Sequence, residues 1–123
     1  MNGNSLLLDT NAVLYVLAGD ETLAAFLNGK DLYLSIISEL ELLSYKKLTQ
    51  KETKAISSFL KELKIEGISE EIKHITINIR KATSLKLPDC IIAATSKALN
   101  ISLVTSDKQL GTVEGLDVIL YER

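Results

Sequence analysis

Apolar residues along the chain follow two alternating patterns, short continuous runs and longer segments with helical spacing. The short runs predict strands at 5–9, 32–37, 66–69, 101–105 and 118–120. The longer segments predict helices at 11–18, 21–27, 39–48, 50–64, 70–86 and 87–99. Because strands and helices alternate, we expect an α/β fold with a mainly parallel sheet covered by helices on both faces.

The first predicted strand ends in an acid. Leu6-Leu7-Leu8 is apolar on both faces, as in a buried parallel strand, and Asp9-Thr10-Asn11 follows directly. The acid therefore lies where a strand ends and a helix begins, which is where open α/β sheets bind ligands. A carboxylate is costly to bury alone, so we expect Asp9 to bind a cation or to cap the helix.

Three more acids are expected at the same edge of the sheet. Glu41 lies in the first turn of the helix after the second strand, Asp89 opens the apolar helix 87–99, and Asp107 ends the fourth strand. In a parallel sheet these points lie at the carboxyl edge or next to it. Only the fold can bring them together with Asp9, since the four acids are far apart in sequence.

Each acid also fits an ordinary structural role. Asp9 fits as an N-cap, and Glu41 fits as the partner of Ser38 in a capping box. Asp89 complements the dipole of its helix, and Asp107 suits a turn. These roles explain each acid separately, but they do not explain why all four are expected at one sheet edge.

A cluster of four carboxylates requires a cation. Two like charges about 4 Å apart repel by about 4 kcal/mol at an effective dielectric of 20. Oxygen ligands without histidine or thiolate favour Mg²⁺ or Mn²⁺ over zinc. Such an ion suits hydrolysis of a phosphodiester, which then needs no protein nucleophile. We expect neutral side chains to surround the acids and their metal waters, namely Thr10, Asn11, Ser38, Thr105 and Ser106.

Composition limits the class of protein further. The 123 residues predict a single domain, 1–123, with a formal net charge of −2 and a pI near 5.4. Six lysines against two glutamates give segment 46–64 a charge of +4, which fits either a solvated helical hairpin or a local basic face. No signal peptide is visible and no apolar run approaches the roughly 20 residues of a membrane helix, so we expect a cytoplasmic protein.

The chain has one cysteine and one histidine, which exclude several chemistries. Cys90 cannot form a disulfide within the chain, in agreement with a reducing compartment. With His74 alone, neither a two-histidine mechanism nor a zinc site of the usual Cys/His composition can be built in one chain. His74 lies beside the apolar positions of helix 70–86, so we expect a half-buried packing residue.

Four motifs resemble the PIN-domain family, and within it the VapC-type toxin ribonucleases. The motifs cover nearly the whole chain: Leu8-Asp9-Thr10-Asn11, Ser35-Ile36-Ile37-Ser38-Glu39-Leu40-Glu41-Leu42, Leu87-Pro88-Asp89-Cys90-Ile91-Ile92-Ala93-Ala94 and Leu103-Val104-Thr105-Ser106-Asp107. Glu39 and Glu41 point to different sides of a helix. The resemblance favours Glu41, which follows Ser38 by three residues.

The resemblance implies a three-layer α/β/α sandwich around a mainly parallel sheet. It also implies a Mg²⁺- or Mn²⁺-dependent endoribonuclease whose catalytic and metal-binding residues are Asp9, Glu41, Asp89 and Asp107. Proteins of this kind are usually held inactive by a small antitoxin and usually form homodimers. The expected partners are therefore an RNA substrate, an antitoxin and a second copy of the chain, with no membrane.

Two other functions remain compatible with the sequence. One is a receiver-like phosphoacceptor switch, which also uses strand-end carboxylates, Mg²⁺, a threonine and a lysine. The paired acids after the first strand that such modules carry are absent here, and Lys108 is only a loose match for the lysine. The other is an inactive PIN-like scaffold that binds RNA or a partner, which the four intact acids disfavour.

Overall fold

A five-stranded parallel sheet forms the centre of the molecule, in the order β3-β2-β1-β4-β5. The structure is a computed structural model and describes residues 4–122. The strands are β1 (Ser5–Leu8), β2 (Asp31–Ser35), β3 (Lys64–Glu66), β4 (Ser102–Thr105) and β5 (Val118–Leu120).

Helices connect the strands and cover the sheet. They are α1 (Thr10–Leu17), α2 (Glu21–Leu27), α3 (Ile36–Leu43), α4 (Gln50–Leu60), α5 (Glu70–Ala82) and α6 (Leu87–Leu99), with a short 3₁₀ helix at Lys108–Thr112. Within residues 4–122, no helix is long and apolar enough to cross a membrane.

Side chains of β1 alternate between two apolar cores, one on each face of the sheet. Leu6 and Leu8 pack in a core shared with α1, α2 and α4, which includes Leu23. Leu7 packs in the opposite core with α5 and α6, which includes Ile92. Both cores are buried, and this explains why the three leucines of β1 follow one another without a polar residue between them. The three-layer α/β/α sandwich predicted from the sequence is confirmed.

The strand order places a ligand crevice beside β1. The chain proceeds from β1 outward to β2 and β3 on one side, then returns to place β4 on the other side. Ligands of open α/β sheets bind where the strand order reverses, outside the carboxyl ends of the strands. Here that point lies between β1 and β4. The order also differs from 2-1-3-4-5, the order of receiver-type sheets, which argues against the phosphoacceptor alternative.

The start of α3 differs from the sequence prediction. The second strand ends at Ser35, whose side chain caps α3 by accepting a hydrogen bond from the Ile37 amide at 3.2 Å. Ser38, the predicted N-cap, lies inside the helix and is fully buried. The predicted capping box with Glu41 is therefore wrong, because the serine three residues earlier takes the capping position.

The buried face of α3 also differs from the prediction. Leu42 is fully buried, whereas Leu40 and Leu43 are 54% and 44% exposed. Helical spacing in the sequence predicts an inward face with Leu40, Leu43 and Leu42, which is right for Leu42 and wrong for Leu40 and Leu43. The helix ends at Leu43 with Ser44 as its C-cap, so the predicted continuation to Leu48 is wrong too.

Other element ends shift by a few residues. β3 lies at 64–66 instead of 66–69, because α4 ends at residue 60 and frees the chain to pair with β2. α5 ends at residue 82 instead of 86, where Thr83 takes an extended backbone conformation. The predicted half-buried His74 is wrong, since its side chain is 71% exposed and lies 3.7 Å from Glu70. The core face of α5 is formed instead by Ile72, Thr76 and Ile79.

Candidate active site

A polar cleft of about 220 Å³ opens at the carboxyl edge of the sheet. We call it the acidic cleft. All four acids predicted from the sequence line it, together with three other side chains: Asp9, Glu41, Asp89, Asp107, Thr10, Asn11 and Tyr45. Glu39 is not among the residues that line it, in agreement with the choice of Glu41. The fold thus brings together acids up to 98 positions apart in the printed sequence.

Asp9 is the most enclosed of the four acids, with 6% of its surface exposed. Its Oδ1 accepts a hydrogen bond from the Thr10 amide at 2.8 Å, and its Oδ2 accepts one from the Thr105 hydroxyl at 2.6 Å. Its own amide donates to the carbonyl of Val104 at 2.9 Å, which extends the pairing of β1 and β4 by one residue. Asp9 is therefore fixed at the point where the two strands meet.

The pKa of Asp9 is raised above its usual value, and burial is the largest cause. The hydrogen bonds from Thr105 and Thr10 lower the pKa, while the charges of Asp107 and Glu41 raise it. Burial and like charges outweigh two donated hydrogen bonds. The acidic cleft therefore lacks enough positive charge for the carboxylates that it contains.

Asp89 lies in the first turn of α6, directly after Pro88, whose missing amide proton costs nothing at that position. Its pKa is raised, first by burial and then by the charges of Asp9, Asp107 and Glu41, with Lys86 opposing them. Asp89 therefore faces the same excess of negative charge as Asp9.

Glu41 is held by a hydroxyl pair that joins α1 to α3. Its Oε1 accepts a hydrogen bond from the Thr10 hydroxyl at 2.8 Å, and the same hydroxyl lies 2.8 Å from the hydroxyl of Ser38. A hydroxyl donates one proton, so Ser38 donates to Thr10 when Thr10 donates to Glu41. Ser38, which was predicted from the sequence to lie among the neutral side chains around the acids, therefore orients the Thr10 hydroxyl toward Glu41.

Asp107 caps the 3₁₀ helix that follows β4. Its Oδ1 accepts from the Gln109 amide at 2.9 Å, and its own amide donates to the Thr105 hydroxyl at 3.0 Å. Thr105 thus contacts both Asp107 and Asp9. Ser106 is not among the residues that line the cleft. Its hydroxyl lies 3.3 Å from the Tyr15 hydroxyl, which links the segment after β4 to α1.

Tyr45 is the lining residue that the sequence did not predict as part of the site. It follows the end of α3 and lies four positions after Glu41, the spacing of neighbours on one side of a helix. That spacing is the signal that could have identified it. Asn11, which was predicted, lines the cleft from the exposed side of α1.

The donor chemistry of the cleft fits a hard divalent cation, since every lining acid offers carboxylate oxygens. Among residues 4–122, however, no three Asp, Glu, His or Cys side chains form a group that could hold a metal ion as they stand. Glu41 and Asp107 each use one oxygen in a protein hydrogen bond, and like charges repel one another. The assignment of the four acids as metal ligands therefore stays a prediction.

Residues 6–116 match the family model described as "PIN domain". The chain belongs to the PIN-domain family. Comparison with curated protein sequences gives no match. The match spans both strands that meet at the cleft and all four of its acids.

Solved structures share the fold of this PIN domain over nearly its whole length. A chain of a toxin–antitoxin complex from Klebsiella pneumoniae is 25% identical with a TM-score of 0.82, over 96% of this chain and 99% of the other. A chain of VapBC2 from Rickettsia felis bound to a promoter DNA fragment is 20% identical with a TM-score of 0.81 and the same coverage. A chain of DNA-bound VapBC from Salmonella typhimurium is 18% identical with a TM-score of 0.83, over 94% and 96%. The predicted resemblance to PIN domains of VapC type is confirmed.

Proposed function

We propose that this PIN domain is a divalent-metal-dependent endoribonuclease and the toxin of a toxin–antitoxin pair. The observation that carries the proposal is the acidic cleft, where four acids from separate elements lie together at the end of β1. Burial, together with the charges of neighbouring acids, raises the pKa of Asp9 and Asp89, and both effects would be offset by a bound cation.

The ion that fits is Mg²⁺ or Mn²⁺, held directly or through water by Asp9, Glu41, Asp89 and Asp107. When bound, such an ion lowers the pKa of water and neutralises charge on a phosphodiester. The protein supplies orientation. Thr105 fixes Asp9 and the start of the Asp107 turn, and Thr10 with Ser38 fixes Glu41.

Incubation of the purified protein with total cellular RNA tests the enzyme. We expect cleavage at defined positions with Mn²⁺ or Mg²⁺ and none with excess chelator, with the cut ends mapped by sequencing. Asp9→Asn, which keeps the shape and one hydrogen-bond acceptor, is expected to fold and to lower the cleavage rate by more than about a hundredfold.

Asp31→Asn is a matched control. Asp31 is exposed and begins β2, at the opposite edge of the sheet from the acidic cleft. This substitution removes the same charge as Asp9→Asn but lies away from the acidic cleft, so cleavage at the wild-type rate is expected. Cleavage that persists in chelator or in Asp9→Asn would contradict the metal mechanism. Binding of RNA without cleavage would favour the inactive PIN-like scaffold.

We also propose a small antitoxin as the protein partner. The supporting observation is the likeness to chains from toxin–antitoxin complexes, and the negative charge of the acidic cleft fits a basic segment of such a partner. Expression of the wild-type chain in a bacterial host should stop growth, whereas Asp9→Asn should not. Co-expression of a small protein encoded beside this chain should restore growth. Unaffected growth with active wild-type enzyme would contradict a toxin role.

A further inference from the structure

Tyr45 lies at the junction of two depressions on the surface. It lines the acidic cleft, and it also lines a larger groove of about 460 Å³ between α1, α4 and the connecting segment 44–49. We call this the α1/α4 groove. Its other lining residues are mostly aliphatic: Leu14, Leu17, Ala18, Leu48, Ala55 and Ile56, with Lys47 and Glu52. A chain bound across the cleft therefore passes Tyr45 on entering the groove.

The side chain of Tyr45 is available for contact. The residue is 43% exposed, and no hydrogen bond or ring contact holds it in place among the interactions described for it. Burial of part of the ring and the charge of Glu41 raise the pKa of Tyr45, so the phenol stays neutral at neutral pH and adds no charge to the cleft. An uncharged, half-exposed aromatic ring beside a phosphodiester-cleaving site matches the platforms on which single-stranded RNA bases stack.

Positive charge follows the ring directly. Lys46 and Lys47 are exposed, and Lys47 lines the α1/α4 groove. Among the described residues lining that groove, Glu52 is the one acid, and its carboxylate is occupied by the Thr49 amide at 3.1 Å in a capping box. Lys47 therefore offers a positive charge to a phosphate bound in this groove.

We infer that Tyr45 is the stacking platform for a base next to the cleaved bond, with Lys47 contacting the phosphate that follows it. This inference rests on the proposed ribonuclease function and adds the direction in which the RNA leaves the acidic cleft, toward α4. It requires that the stacked base is unpaired, because a base in a duplex cannot place its face on the ring.

A protein segment is the other macromolecule that an aliphatic groove accommodates. Lys47 and the ring of Tyr45, which also lines the acidic cleft, favour RNA, since a lysine contacts phosphate and an aromatic ring stacks on a base. The two occupants separate cleanly in experiment, because only RNA has a base that can be removed while the phosphate stays.

The test combines three variants with short single-stranded RNAs that carry one abasic position at a time around the mapped cut. Tyr45→Leu is expected to raise KM by about five- to hundredfold with a smaller effect on kcat, and Tyr45→Phe to restore it. Phe26→Leu is the matched control. Phe26 is 45% exposed on α2, away from the acidic cleft, and its exchange should leave KM unchanged.

With the wild-type enzyme, one abasic position is expected to raise KM as much as Tyr45→Leu does. With Tyr45→Leu, the same abasic RNA should cause no additional rise, because ring and base form one interaction. Lys47→Gln should reduce the slope of log affinity against log salt by about one, measured by RNA binding to Asp9→Asn. Lys73→Gln on α5 serves as its control.

Equal KM for wild type and Tyr45→Leu, or additive effects of the variant and every abasic position, would overturn the inference. Those results leave the ribonuclease function intact, since wild-type cleavage is measured in the same assay. If the wild-type enzyme cuts no RNA with metal, the proposed function fails first. If Tyr45→Leu fails to fold, Tyr45→Gln takes its place in the same comparison, and a wild-type enzyme whose KM changes at no abasic position would overturn the inference without any variant.

Discussion

Thr105 connects two of the four acids through a single hydroxyl. It donates to Asp9 and accepts from the Asp107 amide, and it is fully buried. In Thr105→Val the Asp9 carboxylate loses a donor and the Asp107 amide loses an acceptor. We expect a loss of about 1–3 kcal/mol in the free energy of unfolding, measured by urea denaturation. We also expect a fall of about ten- to hundredfold in cleavage.

Thr105→Ser provides the control, because it keeps the hydroxyl and removes only a methyl group. It should retain most of the cleavage rate while losing some stability. If Thr105→Ser and Thr105→Val are equally impaired in cleavage, the hydroxyl does not orient the acids.

The raised pKa of Asp9 predicts that the acidic cleft destabilises the metal-free protein. A carboxyl group whose pKa is higher in the folded state contributes stability below its unfolded pKa, and loses that contribution as the pH rises through the folded pKa. In chelator, wild type should therefore lose stability relative to Asp9→Asn as the pH rises above about 4, the usual pKa of an aspartate. Thermal unfolding of both proteins at each pH measures the difference.

Metal should reverse this difference. At a Mg²⁺ concentration a hundred times its Kd, the wild-type protein gains about 2.7 kcal/mol, whereas Asp9→Asn gains less because one ligand is lost. A stability difference that stays constant across the pH range would contradict the raised pKa of Asp9. Equal stabilisation of both proteins by Mg²⁺ would contradict Asp9 as a metal ligand.

At the residue scale, the positions of two of the acids could be predicted because each follows an apolar run that forms a strand. Asp9 follows three leucines and Asp107 follows an apolar strand, and the carboxyl ends of parallel strands meet at one edge. The contact of Ser106 with Tyr15 could not be predicted from the sequence, since it joins residues 91 positions apart and no local pattern indicates it. Tyr45 was not predicted, although its spacing of four residues from Glu41 places it on the same side of the helix predicted over 39–48.

The element that the sequence described least well is α3, where two serines compete for one role. Ser35 and Ser38 both precede helical sequence, and the Ser38–Glu41 spacing imitates a capping box. The structure uses Ser35 as the cap and buries Ser38 against Thr10. Two strand residues of the prediction, Ile36 and Ile37, thus belong to the helix.

The two serines should respond differently to the same substitution. Ser35→Ala removes an N-cap and is expected to cost about 0.5–2 kcal/mol in urea denaturation. Ser38→Ala keeps the helix but removes the donor that turns the Thr10 hydroxyl toward Glu41, so we expect a roughly tenfold fall in cleavage with a smaller loss of stability. Ser58→Ala, on the exposed side of α4, should change neither.

A capping role for Ser38 would give the opposite result, with the larger loss of stability in Ser38→Ala.

Elements with strong sequence signals were predicted to within one residue of their ends, such as β1, with apolar residues on both faces, and α6, with Pro88 in its first turn. The three-residue strand β3 was shifted because pairing with β2, and not its own sequence, decides where it lies.

For the whole molecule, the parallel sheet and its two covered faces followed from the alternation of strands and helices. The strand order could not be predicted in this way, because nothing in the sequence indicates on which side of β1 the fourth strand inserts. That choice assembles the acidic cleft, since inserting β4 beside β1 brings Thr105 and Asp107 to Asp9. The acidic cleft is thus a property of the topology, and its acids were recognisable only as candidates.

The exposed leucines of α3 lead to a prediction about assembly. Leu40 and Leu43 are 54% and 44% exposed on the helix that also carries Glu41, and Leu87, at the start of the neighbouring α6, is 53% exposed. Large apolar side chains exposed on adjacent helices are typical of surfaces that another protein covers. We therefore expect the homodimer implied by the family to use this face.

The double variant Leu40→Lys/Leu43→Lys should change the mass in solution from two chains to one in sedimentation equilibrium, because facing charges on a two-fold interface repel one another. Leu120→Lys is the control, with a leucine of 42% exposure on β5, and should remain dimeric. Since α3 also carries Glu41, loss of the dimer is expected to lower cleavage without changing its metal dependence. A wild-type protein that sediments as one chain, or a double variant that stays dimeric, would leave these leucines without a role in self-association.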